Sequence, residues 1–341
     1  MNPKVSILVP VYNVSSYIEK CAHSLFRQKL SGIEYIFVND ATPDDSMEKL
    51  YAVIAQYPER KEKIRIIEHP VNRGLAAARN TALDASSGEY IAVVDSDDYV
   101  EPEMMEILYE QAKKENADIV VSDIIMEYED KSAVVSDFVS ENREERIYDI
   151  LVNDVSQGYL WNKLIRRELY QQNNCKAPEG LNYLEDRHVT TRLYYYATKV
   201  IKIDRAFYHY VLFNPNAITK TKSRMHFQNV ILFWELLDNF LIEKGIYEKY
   251  EEELKLSKVK NKCRLMCDTG SYQLRKEYAG MLINDEKKYL NQFKPVERVM
   301  LLLIHYRLFG LAHLLHKMLW IKNKKLKAVT GRKFFFYLQN K

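Results

Sequence analysis

Gly88-Glu89-Tyr90-Ile91-Ala92-Val93-Val94-Asp95-Ser96-Asp97-Asp98 carries an apolar strand, residues 90–94, straight into three carboxylates within four residues. Acids packed so closely repel one another unless a cation or hydrogen-bond donors offset them. Mg²⁺ and Mn²⁺ take oxygen ligands and commonly bridge one or two carboxylates to phosphate oxygens. The same residues also suit a capped turn ahead of a helix starting near Glu101, because Asp is frequent in turns.

On either side of this stretch the sequence alternates strand and helix signals. Short apolar runs at 5–9, 35–38, 64–67 and 118–122 read as four further strands. Helical spacing fills 15–28, 44–56, 74–85 and 101–115. Strands that are apolar throughout and separated by helices predict an α/β fold, a parallel sheet covered on both faces. In such sheets ligands collect at the carboxyl edge of the strands. Polar clusters sit at that edge: Pro10-Val11-Tyr12-Asn13 after the first strand, Asn39-Asp40-Ala41-Thr42 after the second, and the acids after the fourth. The set suits a nucleoside, with Asp40 accepting a base N–H and Tyr12 stacking.

Two more segments bear on the chemistry. Asn72-Arg73-Gly74-Leu75-Ala76-Ala77-Ala78-Arg79-Asn80 opens a helix with a glycine and small residues, where backbone N–H groups favour anions. Arg79 and Asn80 fit a ligand contact or plain surface and packing positions equally. Glu179-Gly180-Leu181-Asn182-Tyr183-Leu184-Glu185-Asp186-Arg187 places an acidic pair before a helical run at 186–196. That pair caps a helix or supplies a general base that deprotonates an acceptor hydroxyl.

The rest of the chain is less explicit. A helix is expected around 161–170, a long charged one near 247–267, and an amphipathic one over 299–317. On the last, Met300, Leu301, Ile304, Leu308, Leu311, Leu315 and Met318 share one face, and His305, His313, His316 and Lys317 the other. From Arg298 onward there are ten Lys or Arg and no acid, leaving residues 1–297 with 40 basic against 47 acidic groups. The basic end is rich in Leu and Phe. Residues 299–341, with Lys322, Lys324, Lys325, Lys327, Arg332 and Lys333, therefore fit peripheral contact with an anionic membrane better than nucleic acid. The competing reading packs this helix on the protein's own core. Four cysteines without a CxxC pair read as reduced thiols, and the N-terminus enters a strand without a signal-like apolar stretch. Both point to the cytoplasm, and the basic end fits peripheral attachment to the inner face of the plasma membrane.

In order, VSILVPVYN, EYIFVNDATPDDS, NRGLAAARN, GEYIAVVDSDD, LWNKLIRRELY and GLNYLEDRHV closely resemble the family 2 glycosyltransferases, over residues 4–215. These are inverting enzymes of the GT-A fold, and the likeness is to bacterial enzymes of capsular polysaccharide, O-antigen and related surface glycans. The resemblance implies a mostly parallel, Rossmann-like sheet flanked by helices over residues 1–222 and a helical C-terminal region over 223–341. It implies a nucleotide-diphosphate sugar donor, a UDP-sugar, and a glycan or lipid-linked acceptor. Pro10, Val11, Tyr12, Asn13 and Asp40 would hold the nucleoside, and Arg73 would lie near the base or diphosphate. Asp95 and Ser96 would also contact the donor. Asp97 would be the principal ligand of a divalent cation, Mn²⁺ or Mg²⁺, with Asp95 assisting. Asp186 would be the catalytic base, and Glu185 would orient hydroxyl groups. Trp161-Asn162-Lys163 would lie toward the acceptor, though Trp161 also suits the core. One departure stands out: where related enzymes carry an arginine and then a serine after the aromatic run, this chain has Val211 and Ala217. His209, inside that run, fits either a metal or phosphate ligand or a structural histidine.

Three alternatives remain at this level. A processive polysaccharide synthase would carry a QxxRW motif and membrane spans, and a sugar nucleotidyltransferase a glycine-rich opening loop; the sequence has neither. A non-catalytic nucleotide-sugar or glycan-binding module would have no use for a base at Asp186.

Overall fold

The computed structural model describes residues 3–153, 156, 158–220 and 222–330, with only the backbone of 320 and 322–330. It divides into two compact units, Met1–Ile218 and Thr219–Lys341.

The first unit begins as the sequence predicts, with β1 (Val5–Val11), α1 (Ile18–Phe26), β2 (Ile33–Asn39), α2 (Ser46–Ile54), β3 (Ile64–Glu68), α3 (Leu75–Ala85) and β4 (Tyr90–Val93). It continues with β5 (Tyr99–Val100), α4 (Met104–Glu115), β6 (Ile119–Glu127), β7 (Ser132–Val135) and α5 (Arg143–Tyr148). β8 (Lys163–Arg166), α6 (Arg167–Gln172), α7 (Glu185–Tyr196) and β9 (Val200–Val211) complete it. Among the described residues nine strands form one sheet in the order β3-β2-β1-β4-β8-β6-β9-β5, with β7 beside β6. β1 to β4 are parallel, as are β6 and β9, while β8 runs antiparallel to both neighbours, β4 and β6.

β1 is buried along its whole length, as a central parallel strand covered on both faces must be. Leu25 and Phe26 of α1 pack on one side of it, with Tyr35 and Phe37 of β2 in the same core. Register fixes the edge that matters: Val11 pairs with Asn39 and Leu8 with Val93, so the segments after β1, β2 and β4 open on the same end of the sheet.

One expectation needs correction, and one long strand had no counterpart in the sequence reading. Residues 163–166, read as part of a helix, are a strand, and the helix starts only at Arg167. Hydrogen bonding on both edges, to β4 and β6, outweighs a helical pattern only a turn or two long. β9 is a twelve-residue strand that went unread.

The second unit is helical: α8 (Arg224–Glu243), α9 (Glu251–Asp268), α10 (Tyr272–Glu277), α11 (Pro295–His305) and α12 (Phe309–Thr330). The helix expected over 299–317 is therefore two. Arg307 takes a left-handed conformation (φ 57°), and the Leu308 N–H reaches back to the Leu303 carbonyl at 2.7 Å, ending α11. The four cysteines are free thiols. No described helix is long and apolar enough to cross a membrane.

Candidate active site

The loop after β1 is built by side chains from the loop after β2. Asn13, in a left-handed conformation, donates its N–H to Thr42 Oγ1 at 2.8 Å, and the Ser15 N–H reaches Asp44 Oδ2 at 2.9 Å. The Tyr12 ring is left 47% exposed at the mouth, free of the core and suited to stacking. Pro10 and Val11 are buried within the end of β1.

Asp40 is buried and heavily used. Its Oδ1 accepts from His69 Nδ1 at 2.7 Å and from the Arg73 N–H at 2.8 Å, and its Oδ2 accepts from the Gly74 N–H at 2.8 Å. A carboxylate has about four acceptor sites, so one is left for a base N–H. Asp40 thereby shapes the loop that starts α3. Gly74 is required there: its φ is +88°, and a Cβ would come within 2.5 Å of Asn182. Asn182 in turn accepts from the Ala76 N–H at 3.0 Å, tying the 179–187 segment to the start of α3. The Arg73 side chain is partly exposed and pairs with Glu179 at 3.0 Å.

Arg79 settles what the sequence left open. It is buried, and its two terminal nitrogens hold Asp95 Oδ1 at 2.6 Å and Glu185 Oε1 at 2.5 Å. One guanidinium thus joins the acids after β4 to the acidic pair opening α7. Asn80 clamps the Ala177 backbone from both sides, donating to its carbonyl at 2.8 Å and accepting from its N–H at 3.0 Å. No local pattern signals the Arg79 role, since its partners lie 16 and 106 residues away.

The three acids after β4 have three different situations. Asp95 pairs with Arg79 and is half-buried, beside a buried Ser96. Asp98 is fully buried and spends both oxygens on β9, accepting from the Tyr208 hydroxyl at 2.8 Å and the Val211 N–H at 2.7 Å. The Tyr208 oxygen also accepts from the Asp95 N–H at 3.0 Å, so β9 braces the whole loop. Asp97 has one side-chain donor, Asn214 Nδ2 at 2.7 Å. Burial first, then the charge of Asp95, push its carboxyl up to about 6. Asn214 carried no signal in the sequence.

At the start of α7, Leu184 is left-handed (φ 71°), which turns Glu185 inward and leaves Asp186 half-buried. Asp186 Oδ1 accepts from the Arg187 N–H at 2.7 Å. Burial raises the carboxyl pKa of both acids, with Arg79 pulling the other way. A raised pKa suits a group that must accept a proton near neutral pH.

Two neighbours are structural. Trp161 is 2% exposed and stacks on Tyr208 at 4.4 Å and Tyr159 at 4.6 Å. His209 stacks on Tyr99, its register partner in β5, at 4.1 Å and lies between Glu101 (2.9 Å) and Glu127 (2.7 Å).

Among the described residues no three His, Cys, Asp or Glu side chains converge as a metal cage. The donor set nonetheless fits Mg²⁺ or Mn²⁺ arriving with a diphosphate, because such ions need only one or two carboxylates beside phosphate oxygens and water. The raised Asp97 carboxyl marks the negative charge that a cation there would offset.

Residues 6–173 match the model of Glycosyl transferase family 2. The chain belongs to this family of sugar-transferring enzymes. It is 30% identical over 258 residues to the putative glycosyltransferase EpsH of Bacillus subtilis (strain 168), covering 74% of this chain and 73% of that one. It is 38% identical over 226 residues to the uncharacterized glycosyltransferase EpsJ of the same strain, a match covering 64% of each chain, a little under two thirds of that relative. The crystal structure of S. aureus TarS 1-349 in complex with UDP superposes with a TM-score of 0.56 at 18% identity, over 97% of this chain and 93% of that one. That likeness establishes the GT-A fold.

Proposed function

We propose that this chain transfers a sugar, with inversion, from a UDP-sugar to a hydroxyl of a glycan or lipid-linked acceptor in surface polysaccharide synthesis. The observation that carries the reading is the Arg79 clamp, which puts the acids after β4 and the Glu185-Asp186 pair on one guanidinium. Residues 1–222 make up the transferase part and 223–341 the helical region. Tyr12 stacks on the base, Asp40 accepts its N–H through its remaining lone pair, and Pro10, Val11 and Asn13 line the nucleoside. Arg73 and Ser96 lie toward the diphosphate. The UDP held by the TarS structure supports a uridine donor.

Asp97, with Asp95 beside it, is the seat for Mn²⁺ or Mg²⁺. Bound there, the cation's role is to neutralise charge on the leaving diphosphate. Asp186 accepts the acceptor's hydroxyl proton as the new oxygen–carbon bond forms at the anomeric carbon. The bond from that carbon to the diphosphate oxygen breaks on the opposite side, and the configuration inverts. Glu185, fixed by Arg79, orients hydroxyl groups beside the base. The enzyme works in the cytoplasm, at the inner face of the plasma membrane.

Asp186→Ala tests this directly. Turnover of a nucleotide sugar in the presence of Mn²⁺ should fall about 10²- to 10⁴-fold, while donor affinity by calorimetry stays within about twofold of the parent. A parent chain that binds no nucleotide sugar with metal present would overturn the proposal.

A further inference from the structure

In the second unit the two halves of one amphipathic stretch have opposite fates. α11 buries its apolar face: Met300, Leu301 and Ile304 are at most 1% exposed, and Leu301 packs with Val259, Cys263, Tyr289 and Phe293. After the left-handed turn at Arg307, α12 does the reverse. Ala312 is fully buried, His316 Nδ1 donates to the Cys267 carbonyl at 2.8 Å, and Arg275 donates to His313 Nδ1 at 3.1 Å. The histidine side of α12 is its inner side.

Its outer side is apolar. Leu311, Leu314, Met318 and Ile321 are 49–60% exposed, and their i, i+3, i+7, i+10 spacing lines them along one stripe. Single exposed apolar residues are ordinary, whereas an aligned stripe marks an interaction surface. Lys317 is exposed beside the stripe, and Lys322, Lys324, Lys325 and Lys327 follow along the last turns of the same helix. No acid follows Glu297 to balance them. Arg332 and Lys333 lie outside the described residues.

We infer that the outer face of α12 docks on an anionic lipid bilayer, lying in the plane of the interface with Leu311, Leu314, Met318 and Ile321 among the acyl chains. This specifies the contact behind the peripheral location proposed above, and it is independent of the sugar-transfer chemistry. A helix with one apolar stripe and a run of lysines at its end sits at the headgroup boundary, where burial and attraction to acidic lipids add. A second copy of α12 is a poorer occupant, because pairing two such helices brings unbalanced lysines together.

Flotation of the full chain with vesicles tests the assignment. The parent should float with phosphatidylglycerol vesicles, about tenfold less with phosphatidylcholine alone, and less as salt rises. Leu311→Asp with Met318→Asp should cut flotation at least about tenfold, with thermal melting and donor binding unchanged because both side chains are exposed. A parent that stays unbound to phosphatidylglycerol, or a double variant that floats like the parent, overturns the inference. So does a dimer in sedimentation that the double substitution dissociates while vesicle binding is absent. Donor binding, measured without lipid, reports on the transferase reading separately.

Discussion

Asp40 after β2 and Asp97 after β4 occupy the same edge of the same sheet, yet their surroundings differ. Asp40 accepts three donors, from His69, Arg73 and Gly74, all within the segment that starts α3. Among the described residues Asp97 accepts from one side chain, Asn214, and from its own backbone N–H, and it lies beside the charge of Asp95. A buried acid held by three donors from one neighbouring segment fixes that segment in place. One left with surplus charge strains the free protein and is relieved by a ligand. The comparison separates scaffold from site among residues of identical chemistry.

Breaking the arrangement should do most damage where charge is left stranded. Arg79→Ala strips the buried Glu185 and the half-buried Asp95 of their shared cation, and should cost about 3–5 kcal/mol in chemical denaturation. Asp40→Asn removes the charge from three hydrogen bonds and should destabilise by about 2–4 kcal/mol. Asp97→Asn should have the opposite sign. The Asp97 carboxyl moves from an ordinary 3.8 to about 6, so the folded chain holds that proton more firmly than the unfolded one. Its contribution to stability is complete below about pH 4 and is lost as pH rises through about 6. At pH 7, Asp97→Asn should therefore stabilise the metal-free protein by about 1–3 kcal/mol, while weakening Mn²⁺-dependent donor binding at least about tenfold. Melting curves from pH 4 to 8 would show the gain fading toward the acid end. If Asp40→Asn stabilised and Asp97→Asn destabilised, the division between scaffold and site would fail.

Much of this was legible in the sequence, for physical reasons that also explain the gaps. β1, β2 and β4 declare themselves because central strands of such a sheet are largely apolar and end abruptly in polar loops. Asp95, Asp97, Glu185 and Asp186 stood out because clustered acids are costly and so conspicuous. β8 was hidden: four residues between Trp161 and a real helix carry no period of their own, and their strand exists only because β4 and β6 flank it. Arg79 looked like one more helix residue, since burial and partners distant in sequence leave no local trace. Over 299–317 the pattern gave an amphipathic helix but not the break, and the single face it drew from Met300 to Met318 joins buried residues of α11 to exposed ones of α12. Wheel analysis assumes one continuous helix, and a single left-handed residue at Arg307 reverses which side meets the core.

Arg79 also acts as a ruler. In a single displacement the departing group and the incoming oxygen must stand on opposite sides of one carbon, at a separation that tolerates little error. The acids proposed to serve those two ends come from distant parts of the chain, one after a strand and one at the head of a helix. A planar guanidinium of fixed width, gripping Asp95 with one nitrogen and Glu185 with the other, sets the gap between them. Lysine would keep the charge and lose the measurement.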